Sequence, residues 1–475
     1  MKRRTKIVCT LGPAVDSRAK IKGLIEAGMN VARLNCSHGD WNQKAQWVQW
    51  VRELSPTCSP VAILVDLQGP KFRVGDIKGG ALDLSQGQVV TLGASDTVDI
   101  PIEQEEILNA MNPGGRLLLG DGEIDLRILK QVGGKYFAKV VIGGLLKSRK
   151  GVTLVGKVFN VPALGQKDRE DVVEAVRHGA DFIALSYVKC ADDILELRRL
   201  VDTLNPRIGL CAKIEMREGV RDLHNILKVV DLVMVARGDM GLQMEIEDVP
   251  LMQKRIIHEC SCACKPVITA TQMLESMTNN PRPTRAEATD VANAILDGTD
   301  AIMLSGETAS GKYPIECVKT MARIAEKTEP MYDHSRIDHD FQIRLRTAID
   351  RTDAIAHAVN ELAKCIHPKA ILTTTTSGQT PRLVSKFRPK QPILCGAWDE
   401  STLRQLAIVW GVEALQIPHP NGAENTIHDA IEEFLKIKRL KLGELVIVTA
   451  GVPPGKPGHT NMILTHVVGE EQPRK

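Results

Sequence analysis

No apolar run in this sequence approaches the ~18 residues needed to span a bilayer, so no membrane-crossing helix and no membrane partner are expected. The basic start MKRRTK leads into IVCTLGP, which is too short and too broken for the apolar segment of a secretory leader, and a soluble, cytoplasmic protein is expected. A charge excess is missing too. Sixty-one Lys+Arg against 58 Asp+Glu leave +3, which argues against a basic surface for nucleic acid. Low-complexity tracts are absent. The 11 cysteines are scattered through a long chain without a secretory signal, so they read as reduced thiols rather than a disulfide framework. Cys260, Cys262 and Cys264 form a C-x-C-x-C cluster but lack a second ligand pair, and they read as buried or spare thiols.

What is present is length and a repeated pattern. A chain of 475 residues exceeds one ordinary core, although a barrel alone can use about 250 residues. Short apolar runs alternate with amphipathic, helix-length segments: KIVCTLGP, MNVARLNCSHG, VAILVDLQG, DFIALSYVK, IGLCAKIEM, DLVMVARGD, PVITATQM and DAIMLSGET. Eight such units predict an α/β fold built on a (β/α)8 TIM barrel, which sets its chemistry at the C-terminal ends of the strands. The polar residues closing the runs, Thr10, Arg33, Asp66, Ser186, Lys213, Asp239, Thr271 and Ser305, would converge on one mouth. After Gly69 the third unit breaks into Gly-punctuated alternation of period two, as in ALDLSQGQVVTL and KYFAKVVIGG, which predicts an inserted small β-barrel domain over that mouth. Beyond the charged stretch HSRIDHDFQIRLRT, the runs AILTTTTSG, PILCGAW, EALQIP and LGELVIVTAG predict a C-terminal doubly wound α/β domain. The expected boundaries are 1–69 and 163–340 for the barrel, 70–162 for the insert and 345–475 for the C-terminal domain.

Lys213 and Glu215 in AKIEM are two apart, so on a strand they project to the same face. The next run ends in VARGDMG, where Gly238 is expected to allow a tight turn and Asp239 adds a second carboxylate. Two hard oxygen ligands on adjacent strands suit Mg2+ or Mn2+, and a nearby lysine favours an anionic substrate. A plain ion pair at a strand end would explain Lys213 and Glu215 alone, but not the set that includes Asp239, Arg33 and Thr271.

At this point the motifs resemble one family, pyruvate kinase. KIVCTLGPA, NVARLNCSHG, DLQGPK, KIE followed by EG, MVARGD, ITATQMLESM, PRPTRAE, DVANAILDGTDAIMLSGETA and KYP all read like that family's blocks, in its order of barrel, insert and C-terminal domain. Three positions depart from the usual pattern. Cys36 and Tyr187 stand in place of phenylalanines, and Lys71 in DLQGPK occupies a position that is often glutamate.

The resemblance implies transfer of the phosphoryl group of phosphoenolpyruvate to ADP, giving ATP and pyruvate. It implies Glu215 and Asp239 as ligands of Mg2+ or Mn2+, Lys213 and Arg33 on the phosphoryl group, and Thr271 on the substrate carboxylate, joined there by the amides around Gly238 and Asp239 if these open a short helix. Asn35, Cys36, Ser37, His38, Arg73 and Lys150 match nucleotide contacts, Lys150 arriving by closure of the insert; Lys147 and Arg149 beside it read as solvated surface. Asn35, Ser37, Asp66 and the backbone of Leu67 match a pocket for K+. Lys71 carries a cation of its own, and the resemblance is to the branch that does not require K+. Thr375, Ser377, Gly378 and Thr380 match a loop for a phosphorylated effector, with GVPPGKPGHTN opposite, while Trp410 stands where an effector-binding arginine would be expected. A homotetramer is the family expectation. Another metal-dependent barrel enzyme of the aldolase or lyase type would share the carboxylate pair but not need the insert or Lys150. An inactive regulatory relative would have lost a key group, yet Arg33, Lys213, Glu215, Asp239 and Thr271 are all present.

Overall fold

A computed structural model describes residues 3–70, 72–95, 97–120, 122–156, 161–334, 350–420, 422–453 and 460–470. Eight parallel strands close a barrel in sequence order: β1 (Lys6–Thr10), β2 (Val31–Asn35), β3 (Ala62–Asp66), β4 (Phe182–Leu185), β5 (Gly209–Ile214), β6 (Leu232–Ala236), β7 (Val267–Ala270) and β8 (Ala301–Leu304), with β8 paired back to β1. Nearly every residue in these strands is buried. That is why they read as unbroken apolar runs: one face meets the packed lumen and the other the surrounding helices. Register decides which polar ends meet. Asn35 pairs with Asp66, and Thr10 with Arg33, so the closing residues of neighbouring strands share one level.

The insert follows β3. Its strands Val152–Leu154, Arg116–Leu119, Ile124–Val132, Lys135–Ile142, Val89–Gly93 and Ile100–Pro101 form a six-stranded sheet in that order, and Gly144–Lys147 pairs separately with Ala81–Leu84. The two sheets enclose one apolar core, with Leu84, Val90, Leu117, Leu126 and Val140 among its members. Among the described residues the pairing does not run continuously around that core. Where alternation suggests a small closed barrel, the wrap is completed by side-chain packing.

The C-terminal sheet takes the order β11–β10–β9–β12–β13, from β9 (Ala370–Thr375), β10 (Ile393–Ala397), β11 (Val412–Gln416), β12 (Leu445–Ala450) and an antiparallel edge strand β13 (Met462–Val467). It docks under the barrel. Lumen residues such as Leu64, Phe182 and Met303 belong to the same buried cluster as Val359, Ile393 and Ile447. Buried ion pairs cross the seam: Asp181, also held at 2.8 Å by Arg52 of the barrel itself, meets Arg404 at 2.7 Å, and Asp300 meets Arg388 at 2.9 Å. Trp410 lies in this seam, with Arg4 and Arg388 at 5.3 and 4.9 Å from its ring centre. Its indole serves interdomain packing.

Candidate active site

At the barrel mouth four charged side chains form a chain. Asp66, 1 % exposed, receives Arg33 Nε and Nη2 on Oδ2, each at 2.7 Å, and has Lys213 Nζ 3.2 Å from Oδ1. Lys213 Nζ lies 2.9 Å from Glu215 Oε1 and donates to Ser186 Oγ at 2.7 Å. Arg33 Nη1 donates to Thr10 Oγ1 at 2.9 Å, fixing the guanidinium from its other side. Burial alone would raise the Asp66 carboxyl, but Lys213 and Arg33 together hold it below its ordinary value. Burial opposes the charge on Lys213 as well, and Asp66, Glu215 and Asp239 outweigh it, so the ammonium is retained. Glu215 is different. Burial, only partly offset by Lys213, pushes its carboxyl up to about 7, with Asp239 adding to the rise.

The next two strands end in tight backbone. Thr271 and Gln272 both have positive φ, +67° and +53°, an uncommon pair for residues with side chains. Arg237 holds them there: its Nε and Nη2 donate to the carbonyls of Ala270 and Thr271 at 3.2 and 2.6 Å, and Nη1 meets Asp290 at 2.7 Å. Gly238 does not make the tight turn anticipated from VARGDMG. It and Asp239 lie in the helix Arg237–Gln243, and Gly238 has no positive φ. Its amide donates to Thr271 Oγ1 at 2.8 Å. Asp239 is thus a first-turn helix residue rather than a strand end, and it opens into the cleft described next.

A cleft of about 280 Å³ runs between the barrel mouth and the insert, with Ser37, His38, Arg73, Lys150, Tyr187 and Asp239 among its walls. The loop after β2 is held from below: Lys44 Nζ donates to the carbonyls of His38 and Gly39 at 2.6 and 2.9 Å, and Lys167 Nζ to that of Cys36 at 2.9 Å. Asn35 Oδ1 accepts the Ser37 amide at 2.9 Å, so this side chain shapes the loop. The Cys36 thiol is buried in the barrel core and does not reach the cleft; burial also raises its pKa, and any nucleotide contact there would have to be through backbone. On the insert, Arg73 Nη1 donates to the Arg149 carbonyl at 3.0 Å and Lys150 Nζ lies 3.5 Å from Glu123. Arg149 is tied to Asp76 at 2.5 Å.

Lys71 lies outside the described residues, as does Lys456 with most of the loop GVPPGKPGHTN. The Thr375–Thr380 loop links β9 to the helix Gln379–Lys386. Gly378 sits at φ +78° with its amide on Thr375 Oγ1 at 3.0 Å, and Thr380 Oγ1 lies 2.8 Å from Thr460 Oγ1. Both threonine hydroxyls are therefore engaged within the domain, while Ser377 is only partly buried. Cys260 is buried, Cys262 and Cys264 are partly so, and no group of three or more His, Cys, Asp or Glu side chains suited to a metal occurs among the described residues.

For Glu215 and Asp239 the fit to a divalent cation rests on the donor set, two carboxylates at the mouth, of which Glu215 Oε1 is buried and already met by the Lys213 ammonium at 2.9 Å. A hard divalent ion would add its charge to that oxygen. Two carboxylates without a third amino-acid ligand suit an ion that completes its shell with water and substrate oxygens. Sequence reading missed Arg237, Lys44 and Lys167. Arg237 sits inside a quoted motif, MVARGD, and that was the available signal; nothing local marks the two lysines.

Comparison with known proteins agrees with this geometry. Residues 2–318 match the family model described as pyruvate kinase, barrel domain, and residues 353–466 the one described as pyruvate kinase, alpha/beta domain. A pyruvate kinase of Geobacillus stearothermophilus is 44 % identical over 478 residues, covering 99 % of this chain and 81 % of that protein. One from Staphylococcus saprophyticus is 42 % identical over 477 residues, with the same coverage. A crystal structure of a pyruvate kinase from Cryptosporidium parvum superposes with a TM-score of 0.91 at 34 % identity, covering 98 % of this chain and 96 % of that one. Barrel, mouth and C-terminal domain thus lead to one conclusion: the chain belongs to the pyruvate kinase family.

Proposed function

We propose that this enzyme transfers the phosphoryl group of phosphoenolpyruvate to ADP, with Lys213 and Arg33 as the groups that neutralise the phosphoryl oxygens in flight. The observation that carries the reading is the buried Asp66, which holds both cations side by side at the mouth and helps keep Lys213 charged. Phosphoryl transfer asks little covalent chemistry of a protein, so catalysis is positioning and electrostatics. Glu215 and Asp239 would hold Mg2+ or Mn2+, which supplies further positive charge to substrate oxygens when bound. Thr271, its hydroxyl beside the Gly238 amide, is suited to orient the substrate carboxylate and to assist the proton's path to the enolate.

Ser37, His38 and Arg73 line the cleft where the nucleotide would lie, and Asn35 and Cys36 would support it from the same loop. Lys150 on the insert would meet its phosphates, and closure of the insert would exclude water. In this reading Lys71 supplies the positive charge that relatives take from K+, making the enzyme independent of K+. Ser377 and the amides near Gly378 would receive a phosphorylated effector. The test is a coupled assay for pyruvate from phosphoenolpyruvate, with and without ADP. Pyruvate formed only with ADP supports the reading, and pyruvate formed equally without ADP points to a lyase or hydrolase.

A further inference from the structure

The turn after β4 touches both members of the Lys213–Glu215 pair. Ser186 is 1 % exposed; its Oγ accepts from Lys213 Nζ at 2.7 Å and donates to the Leu67 carbonyl at 2.8 Å. The contacts of Nζ with Asp66 Oδ1 and Glu215 Oε1 differ in kind. They are close as ions, at 3.2 and 2.9 Å, yet both oxygens lack a hydrogen bond of regular geometry. Among the described residues, the ammonium's hydrogen bond of regular geometry is the one to Ser186, beside its two close ion contacts. Coulomb attraction fixes the charge but is weakly directional, whereas a hydrogen bond fixes where a tetrahedral ammonium points.

The hydroxyl itself is oriented. A serine has one proton to give, and giving it to Leu67 leaves lone pairs facing Lys213. The next residue, Tyr187, has φ +56°, and its amide donates to Glu215 Oε2 at 2.8 Å. A bulky residue in left-handed backbone persists only when its surroundings impose it. From the other side, Gly69 approaches so closely that a Cβ on it would stand 2.8 Å from Ser186 Cβ. The turn is therefore clamped between the β3 and β5 ends.

We propose that Ser186 is a positioning residue for phosphoryl transfer: its hydroxyl, locked as an acceptor by Leu67, aims the Lys213 ammonium into the barrel mouth. Asp66 and Glu215 set the charge, and Ser186 sets the direction. The inference rests on the role of Lys213 given under Proposed function. Misdirecting a group that acts in the transition state lowers turnover more than binding.

The test is a cycle of variants at Ser186 and Lys213. Ser186→Ala should lower kcat by about 10–100-fold while changing KM for phosphoenolpyruvate by less than about 3-fold. Ser186→Cys, similar in size with a weaker acceptor, should fall between, and it carries the same cycle if the alanine variant does not fold. In a Lys213→Arg background the Ser186 substitution should change kcat by less than about 2-fold, because the directed partner is already lost. An unchanged kcat in Ser186→Ala, or equal fold losses in both backgrounds, would overturn the proposal. The turnover of the unmodified chain in the same assay reports separately on phosphoryl transfer itself.

Discussion

Lys213 and Glu215 lie two positions apart in sequence, and their neighbours give them opposite tasks. Asp66, Glu215 and Asp239 keep Lys213 charged against burial. Lys213→Met should therefore lower kcat by about 10²–10³-fold or more while KM for phosphoenolpyruvate changes far less; steady-state kinetics check it, and near-normal turnover would remove Lys213 from its role. Glu215 has a carboxyl raised to about 7 by burial, so without a metal the folded state keeps a proton that the unfolded chain has lost. Its contribution to stability is complete below the ordinary carboxylate pKa of about 4.3 and is lost as pH rises to about 7. A divalent ion must displace that proton. Mn2+ binding, followed by the paramagnetic signal of the free ion, should tighten as pH rises to about 7 and level off above it. Glu215→Gln and Asp239→Asn should each weaken it, and unchanged binding in both would make the pair structural. Lys213 and Glu215 were legible in sequence as a pair because strand geometry puts residues two apart on one face. The burial of the Cys36 thiol was not legible, because it depends on contacts with residues far away in the chain.

At the scale of elements, the turns at the strand ends hold the site's geometry. Gly69 has φ +68°, its amide donates to Asp168 Oδ1 at 3.0 Å, and it lies against Ser186. A methyl group there meets both backbone strain and a collision. Gly69→Ala should cost about 1–3 kcal/mol in denaturant unfolding, and a cost near zero would show that the turn relaxes freely. The eight barrel strands were readable because a parallel strand buried on both faces is an apolar run with a polar end. The insert's pairing was less so: alternation announces strands but not which edges join. The helix carrying Gly238 and Asp239 could be anticipated only conditionally, for a related reason. Its seven residues are too few to show a helical period, and Gly in ARGDMG reads as a turn.

Across the whole molecule, the barrel stands on the C-terminal domain through Asp181 with Arg404, and Asp300 with Arg388. None of these pairs was legible, since their partners lie more than 80 residues apart, as from Asp300 to Arg388. The stretch VDLQGPKFRV was only half answered by geometry: Asp66 holds Arg33 and Lys213. With Lys71 as a built-in cation, activity in buffer free of K+ and Na+ should stay close to that with K+, and Lys71→Glu should create K+ dependence. Strong activation of the unmodified enzyme by K+ would remove that role from Lys71. The most direct measurement follows pyruvate and ATP together from phosphoenolpyruvate, with a divalent ion present, with and without ADP. Pyruvate and ATP in equal amounts, formed only when ADP is added, are predicted; pyruvate without ADP, or no pyruvate with it, would contradict phosphoryl transfer at this mouth.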